Sequence, residues 1–85
     1  MIGDVLREFR KKAGFTQEQL AHAAGVHRTY ISLLERNEKS PTLKVFFAIA
    51  RALDLRPSTI LLHVEHTIAD DVSWWDDDDF DEPAE

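Results

Sequence analysis

Apolar residues recur along the first part of the chain at the three- and four-residue spacing of amphipathic helices. The first set, which predicts a helix that stops at Gly14, consists of Ile2, Val5, Leu6, Phe9 and Ala13. Thr16 can cap a second helix, with Gln19 reaching back to complete a capping box. Gly25 supplies the left-handed residue that ends this helix. Residues 1–25 therefore predict two amphipathic helices.

A third helix is predicted after Val26, with His27 as a mediocre N-cap. At the helical rotation of 100° per residue, one face holds Tyr30, Ile31 and Leu34. The other face holds Arg28, Thr29, Ser32, Leu33 and Arg36. The first face is expected in the core, and the second is free to contact another molecule. Asn37 tolerates the left-handed turn that would end this helix.

Two further helices are predicted from residue 42 onwards. Thr42 is a good N-cap for the fourth helix, which is apolar on more than one side and is expected to be mostly buried, with both Phe46 and Phe47 in the core. Pro57 occupies the first-turn position that proline favours in a fifth helix. No alternation typical of strands occurs. The expected fold is all-α, with a five-helix domain at residues 1–68 and a flexible acidic tail at residues 69–85.

Length and composition fit one domain in a reducing compartment. The chain has 85 residues, of which 44% are hydrophobic, which suits a single core. The absence of cysteine excludes disulfides, thiolate metal sites and a cysteine nucleophile. The longest apolar run, residues 45–50, is far too short to cross a bilayer, and the N-terminus lacks the form of a signal peptide. We therefore expect a soluble, cytoplasmic protein with no membrane contact.

The net charge of −6 hides two segments of opposite sign. All ten Lys and Arg residues lie in residues 1–66 together with seven acids, which leaves that segment at +3. Residues 67–85 contain nine acids and no base, so that segment is at −9. A mildly basic domain joined to a strongly acidic tail keeps nucleic-acid binding open, although the overall charge argues against it.

Catalytic and metal chemistry find little support. The serines lie in no nucleophile motif, and most of the acids form a run rather than an isolated pair. His63 and His66 with Glu65 lack a convincing further metal ligand. We expect no enzyme activity, no metal and no cofactor.

The outward face of the third helix has the side chains that read base edges in a major groove. Arg28 is the best candidate, because a guanidinium can bond guanine O6 and N7 together. Thr29 can bond a base or place its methyl group on thymine, Ser32 is a weaker polar candidate, and Leu33 can contact a thymine methyl. His27 is expected to donate to a phosphate.

Residues 16–43, TQEQLAHAAGVHRTYISLLERNEKSPTL, closely resemble the helix-turn-helix of the lambda-repressor, Cro and Xre family, and especially the controller proteins of restriction-modification systems. The resemblance extends over about residues 2–65 and implies that residues 27–36 form the recognition helix. The chain departs from the family at Asn37, where glycine is common, and at His27, where serine or threonine is common. The acidic tail is outside the family pattern.

The resemblance also implies roles for individual residues. It places phosphate or groove-edge contacts at Gln17, Tyr30, Thr42 and Lys44, and Arg36 on the same outer face joins this group. Arg10 and Glu35 match an ion pair that ties the first helix to the recognition helix. Double-stranded DNA is the implied partner.

Pairing through the fifth helix is a further implication of the resemblance. Independently, this helix has more apolar surface than so small a domain can readily cover alone, and the predicted dimer interface consists of Ile60, Leu61, Leu62 and Val64. A two-fold homodimer places two recognition helices roughly 34 Å apart on a short palindrome. The function predicted is a dimeric, sequence-specific transcriptional regulator that represses or autoregulates by occupying its operator.

The tail sequence SWWDDDDFDEPAE at residues 73–85 has three interpretations. Its charge density is typical of a solvated segment that aids solubility. Trp74, Trp75 and Phe80 suggest instead that it competes with DNA on the recognition face, or anchors a basic partner protein. On the latter view the chain is a protein-interaction module, such as an antitoxin or DNA-mimicking adaptor.

Overall fold

Five α-helices make up residues 1–69, the part of the chain that the computed structural model describes. Their bounds are α1 Ile2–Lys12, α2 Gln17–Ala24, α3 Arg28–Glu35, α4 Leu43–Ala52 and α5 Pro57–Ala69. Residues 1–69 contain no strand, and the predicted all-α, five-helix fold is confirmed. Trp74, Trp75 and Phe80, the predicted tail anchors, lie outside the described residues.

Side-chain caps begin three of the helices. At α2 the predicted capping box forms: Gln19 N donates to Thr16 Oγ1 at 3.0 Å, and Thr16 N donates to Gln19 Oε1 at 2.9 Å. At α4, Val45 N donates to Thr42 Oγ1 at 3.1 Å. His27 caps α3 through its ring nitrogen. The chain therefore fixes these helix starts locally, as its sequence indicates.

Each of the first four helices is followed, one or two positions after its last residue, by a residue in the left-handed conformation. These residues are Gly14 (φ 80°), Gly25 (φ 75°), Asn37 (φ 60°) and Asp54 (φ 60°). In each case the next residue donates its N–H to the carbonyl five positions earlier, for example Val26 N to Ala21 O at 2.9 Å. This is the Schellman pattern, which satisfies helix-end carbonyls in a tight turn. The sequence predicts the first three positions, whereas the left-handed Asp54 was not predicted.

The helices enclose one apolar core. α2 packs on α3 and α4, α1 packs on α3 and α5, and α4 packs on α5. The largest fully buried side chains are Leu6, Leu20, Ile31, Leu34, Ile49 and Ile60. Within residues 1–69, no helix is both long and apolar enough to span a bilayer.

The prediction that Phe47 lies in the core is wrong. Phe46 is buried, but Phe47 is 54% exposed, and Leu43 on the same helix is also exposed. The buried face of α4 follows the spacing of Phe46, Ile49, Ala50 and Leu53, and Phe47 is rotated 100° away from Phe46. A helix that is apolar on two sides therefore buries only one of them within the described residues.

The predicted dimer interface on α5 needs a similar correction. Ile60 and Val64 are only 0% and 7% exposed, so they belong to the core of the single chain. Leu61 and Leu62 are 47% and 51% exposed. Residues four apart share one helix face, and that face packs on α1 and α4. Of the four residues predicted for the interface, only Leu61 and Leu62 are exposed and remain available to a partner.

Candidate nucleic-acid interface

A buried ion pair holds α3 against α1. Arg10 Nε donates to Glu35 Oε2 at 2.6 Å and Arg10 Nη2 donates to Glu35 Oε1 at 3.1 Å, in the two-pronged geometry that suits a guanidinium and a carboxylate. The two side chains are only 10% and 3% exposed. Arg10 Nη1 also donates to the carbonyl of Phe15, at the turn that leads into α2. The pair implied by the family resemblance thus forms, and it joins three parts of the chain.

Gln17 extends this network to the first residue of α2. Its Nε2 donates to Glu35 Oε1 at 3.0 Å, and its side chain is half-buried. One amide hydrogen and the amide oxygen are left over for an outside partner, which is compatible with the predicted phosphate contact. The bond to Glu35 was not predicted, since the resemblance assigned Gln17 only to DNA.

A close approach of backbones fixes the same, C-terminal end of α3. Gly3 in α1 is buried, and a Cβ atom there would clash with the carbonyl oxygen of Leu34 and lie 2.8 Å from that of Glu35. Gly3 N donates to Asn37 Oδ1 at 2.9 Å, just beyond the end of α3. Glycine is the residue that allows this contact. Sequence reasoning missed the role of Gly3, because its neighbours are more than thirty positions away.

With its inner side anchored, α3 presents its first turn to solvent. Arg28 and Thr29 are both exposed, whereas Ile31 is fully buried. Ser32 and Leu33 are half-buried on the outer side. Tyr30 is half-buried and packs against the core. The division of the helix into a core face and a free face therefore follows the predicted rotation.

His27 has a ring orientation suited to a phosphate. Thr29 N donates to His27 Nδ1 at 3.3 Å, so Nδ1 acts as an acceptor and carries no hydrogen. The neutral ring then has its hydrogen on Nε2, and the residue is exposed. The cap therefore leaves a donor directed away from the helix backbone, as the predicted phosphate contact requires.

A small open groove of about 290 Å³ lies beside α3. Gln17, Ser32 and Arg36 line it together with Arg7, and the Arg10–Glu35 pair borders it. Arg36 and Arg7 are exposed cations, and Arg36 also pairs with Glu38 at 3.2 Å on the surface. Arg7 was not predicted, although its place one turn before Arg10 on α1 was a usable signal. The structure thus brings residues from three helices to one cationic depression.

The start of α4 supplies a separate candidate contact. Thr42 accepts from Val45 N through its hydroxyl oxygen, which leaves the hydroxyl hydrogen to donate outward. Thr42 and Lys44 are both exposed. Free amides at a helix start favour an anion, and a lysine in the first turn strengthens that preference. The side chains of Thr42 and Lys44, which are predicted to contact DNA phosphates or the groove edge, are therefore accessible.

Comparison with known proteins places these features in a family. A family model for the helix-turn-helix matches residues 6–60. Control protein C.SmaI of Serratia marcescens is 39% identical over 54 residues, which are 64% of this chain and 64% of that protein, so the chain spans just under two thirds of its length.

Two solved structures share the fold. The restriction-modification controller protein C.AhdI of Aeromonas hydrophila superposes with a TM-score of 0.68 and 36% identity over 69% of this chain and 89% of that one. SinR, a master regulator for biofilm formation crystallised in complex with DNA, gives a TM-score of 0.68 and 34% identity over 72% of this chain and 98% of that one. These matches confirm the resemblance drawn from residues 16–43.

Proposed function

Because this chain belongs to the helix-turn-helix family of DNA-binding transcriptional regulators, we propose that it is a sequence-specific regulator that reads duplex DNA through residues 27–36. Members of this family regulate transcription and are not enzymes. The observation that carries the proposal is the exposed first turn of α3, held from behind by the buried Arg10–Glu35 pair. A helix of this width fits the major groove.

The proposed contact residues divide into two roles. Arg28 and Thr29 read bases, with Ser32 and Leu33 at the edge of the contact. Phosphate or groove-edge contacts come from Gln17, His27, Tyr30, Arg36, Thr42 and Lys44, and Arg7 joins them because it lines the same groove as Gln17 and Arg36. Phosphate contacts set the register on the duplex, and base contacts set the sequence that is preferred.

The proposal includes a two-fold homodimer on a short palindrome, with Leu61 and Leu62 at the interface. Their exposure is the support for this arrangement. Occupation of the operator would then repress the promoter that contains it, a role that fits the regulators to which the chain is similar. No observation in residues 1–69 favours the interaction-module alternative over this function.

Selection of bound sites from a random DNA pool tests the proposal directly. The expected result is one enriched palindrome with half-sites about one helical turn apart. Enrichment of a single unrepeated half-site would retain base reading and reject the dimer. A pool that returns no preferred sequence would reject the proposed function.

Arg28→Ala measures base reading at one position. We expect a loss of about 1–3 kcal/mol on the selected site, with relaxed preference at one base pair. Lys44→Ala is the matched control, because a lost phosphate contact weakens all sequences equally and lowers the salt slope by about one. Binding to the selected site and to scrambled duplex is measured at several salt concentrations. An equal loss on both duplexes for Arg28→Ala would contradict its role.

A further inference from the structure

An open groove of about 840 Å³ lies along α4 and the turn into α5, and the proposed DNA contacts use only its edge. Its apolar lining includes Phe47, Leu55 and Pro57. Phe47 is the exposed aromatic residue of α4. A large aromatic side chain in a concave surface is a typical anchor point for a docked segment. The groove therefore has an apolar floor that the described part of the chain leaves open.

The border of this groove is cationic. Lys44, Arg51 and Arg56 line it and are all exposed, and Asp54 is its single acid. Three cations and one acid leave a net positive border around the apolar floor. An occupant that complements it needs aromatic groups and several carboxylates close together in sequence.

Residues 74–80 of this chain have that composition, since WWDDDDF places four aspartates between aromatic residues. We propose that this segment docks in the groove of its own chain, with aromatic side chains on Phe47 and Leu55 and with Asp76–Asp79 against Arg51 and Arg56. The proposal goes beyond the proposed function and does not depend on it.

The length of chain beyond α5 allows this placement. α5 has 13 residues and is about 20 Å long at 1.5 Å per residue, and the groove lies at its start. The seven residues from 70 to 76 span about 24 Å when extended. A segment that runs back along α5 in a nearly extended conformation therefore brings the aspartates level with Arg56.

Trp74 and Trp75 are the only tryptophans, so tryptophan fluorescence, excited selectively over that of Tyr30, reports on this segment alone. At low salt we expect a blue-shifted emission maximum and acrylamide quenching about twofold weaker than in the double variant Arg51→Glu with Arg56→Glu. Raising the salt to about 1 M, where the screening length is about 3 Å, should shift the emission to longer wavelength. Phe47→Ser, which replaces an exposed side chain, should weaken docking without loss of helical circular dichroism.

The matched control is Lys11→Glu with Lys12→Glu, which makes the same charge change at exposed residues outside the groove. Its emission should equal that of the unaltered chain. Solvent-like emission at low salt would overturn the proposal, and so would shielded tryptophans that respond equally to both double variants. Shielding that disappears on dilution would assign the segment to the groove of a second copy and would overturn docking within one chain.

Discussion

Arg10 is the residue on which the geometry of α3 depends most directly. It pairs with Glu35 at 2.6 Å and contacts the carbonyl of Phe15. Removing one partner of such a buried pair leaves an uncompensated charge in the interior. We therefore expect Arg10→Met to lower the free energy of unfolding by about 3–5 kcal/mol. Urea unfolding, followed by the helical circular dichroism signal, measures the change.

Arg36→Met is the matched control for this prediction. Arg36 also pairs with a glutamate, but both partners are more than half exposed. Exposed pairs contribute little, so the free energy of unfolding should change by no more than about 0.5 kcal/mol. Equal small losses in the two variants would contradict an anchoring role for the buried pair.

At the scale of the element, left-handed residues follow α3 and α4. Comparing them distinguishes the steric cost of a positive φ from the energy of a side-chain contact. Asn37 and Asp54 have the same φ of 60°. The Asn37 side chain accepts a hydrogen bond from Gly3 N, whereas within residues 1–69 the Asp54 side chain makes no hydrogen bond. This contact accounts for asparagine at a position where the family often has glycine.

We therefore predict opposite responses to the same substitution. Asp54→Gly should raise the free energy of unfolding by about 0.5–1 kcal/mol, because glycine adopts positive φ without steric cost. Asn37→Gly should give no gain or a net loss, since the relief is offset by the lost hydrogen bond of about 0.5–1.5 kcal/mol. Thermal and urea unfolding of the two variants, carried out side by side, measure both changes in the free energy of unfolding. Equal gains would mean that the contact with Gly3 contributes nothing.

These elements also show which features can be predicted from sequence. Thr16, Gly14 and Gly25 act within a few residues of their own position, so composition and spacing locate the helix ends. Whether Phe47 or Ile60 is buried depends on which other helices cover that face of its own helix. Packing between segments that are distant in sequence determines this, and it leaves Phe47 exposed and Ile60 buried. The Gly3 contact is non-local in the same way. The exposed face of α3 was predictable because three of its four large apolar residues, Tyr30, Ile31 and Leu34, lie on the other side.

At the scale of the whole molecule, charge is separated along the chain. Residues 1–66 have a formal charge of +3 and residues 67–85 have −9. Lys44 belongs to both proposals, because it is a proposed phosphate contact at the start of α4 and also lines the groove proposed for residues 74–80. If both proposals hold, the docked acidic segment lies in the groove that Lys44 lines, so docking and the Lys44 contact with a DNA phosphate would compete. Counterion release would then make this competition weaker as salt rises.

The proposed homodimer also belongs to the scale of the whole molecule, and α5 offers a direct test of it. Leu61 and Leu62 are each about half exposed, so a two-fold interface would remove four leucines from water. Their burial would stabilise such a dimer by about 3 kcal/mol or more. We expect Leu61→Ser with Leu62→Ser to raise the dimer dissociation constant at least about a hundredfold, measured by sedimentation equilibrium.

Phe47→Ser removes a similarly exposed apolar residue from α4 and should leave the dimer intact. A monomeric Phe47→Ser variant beside a dimeric leucine variant would place the interface on α4 instead, and a dimer in both would exclude each face as the main contact.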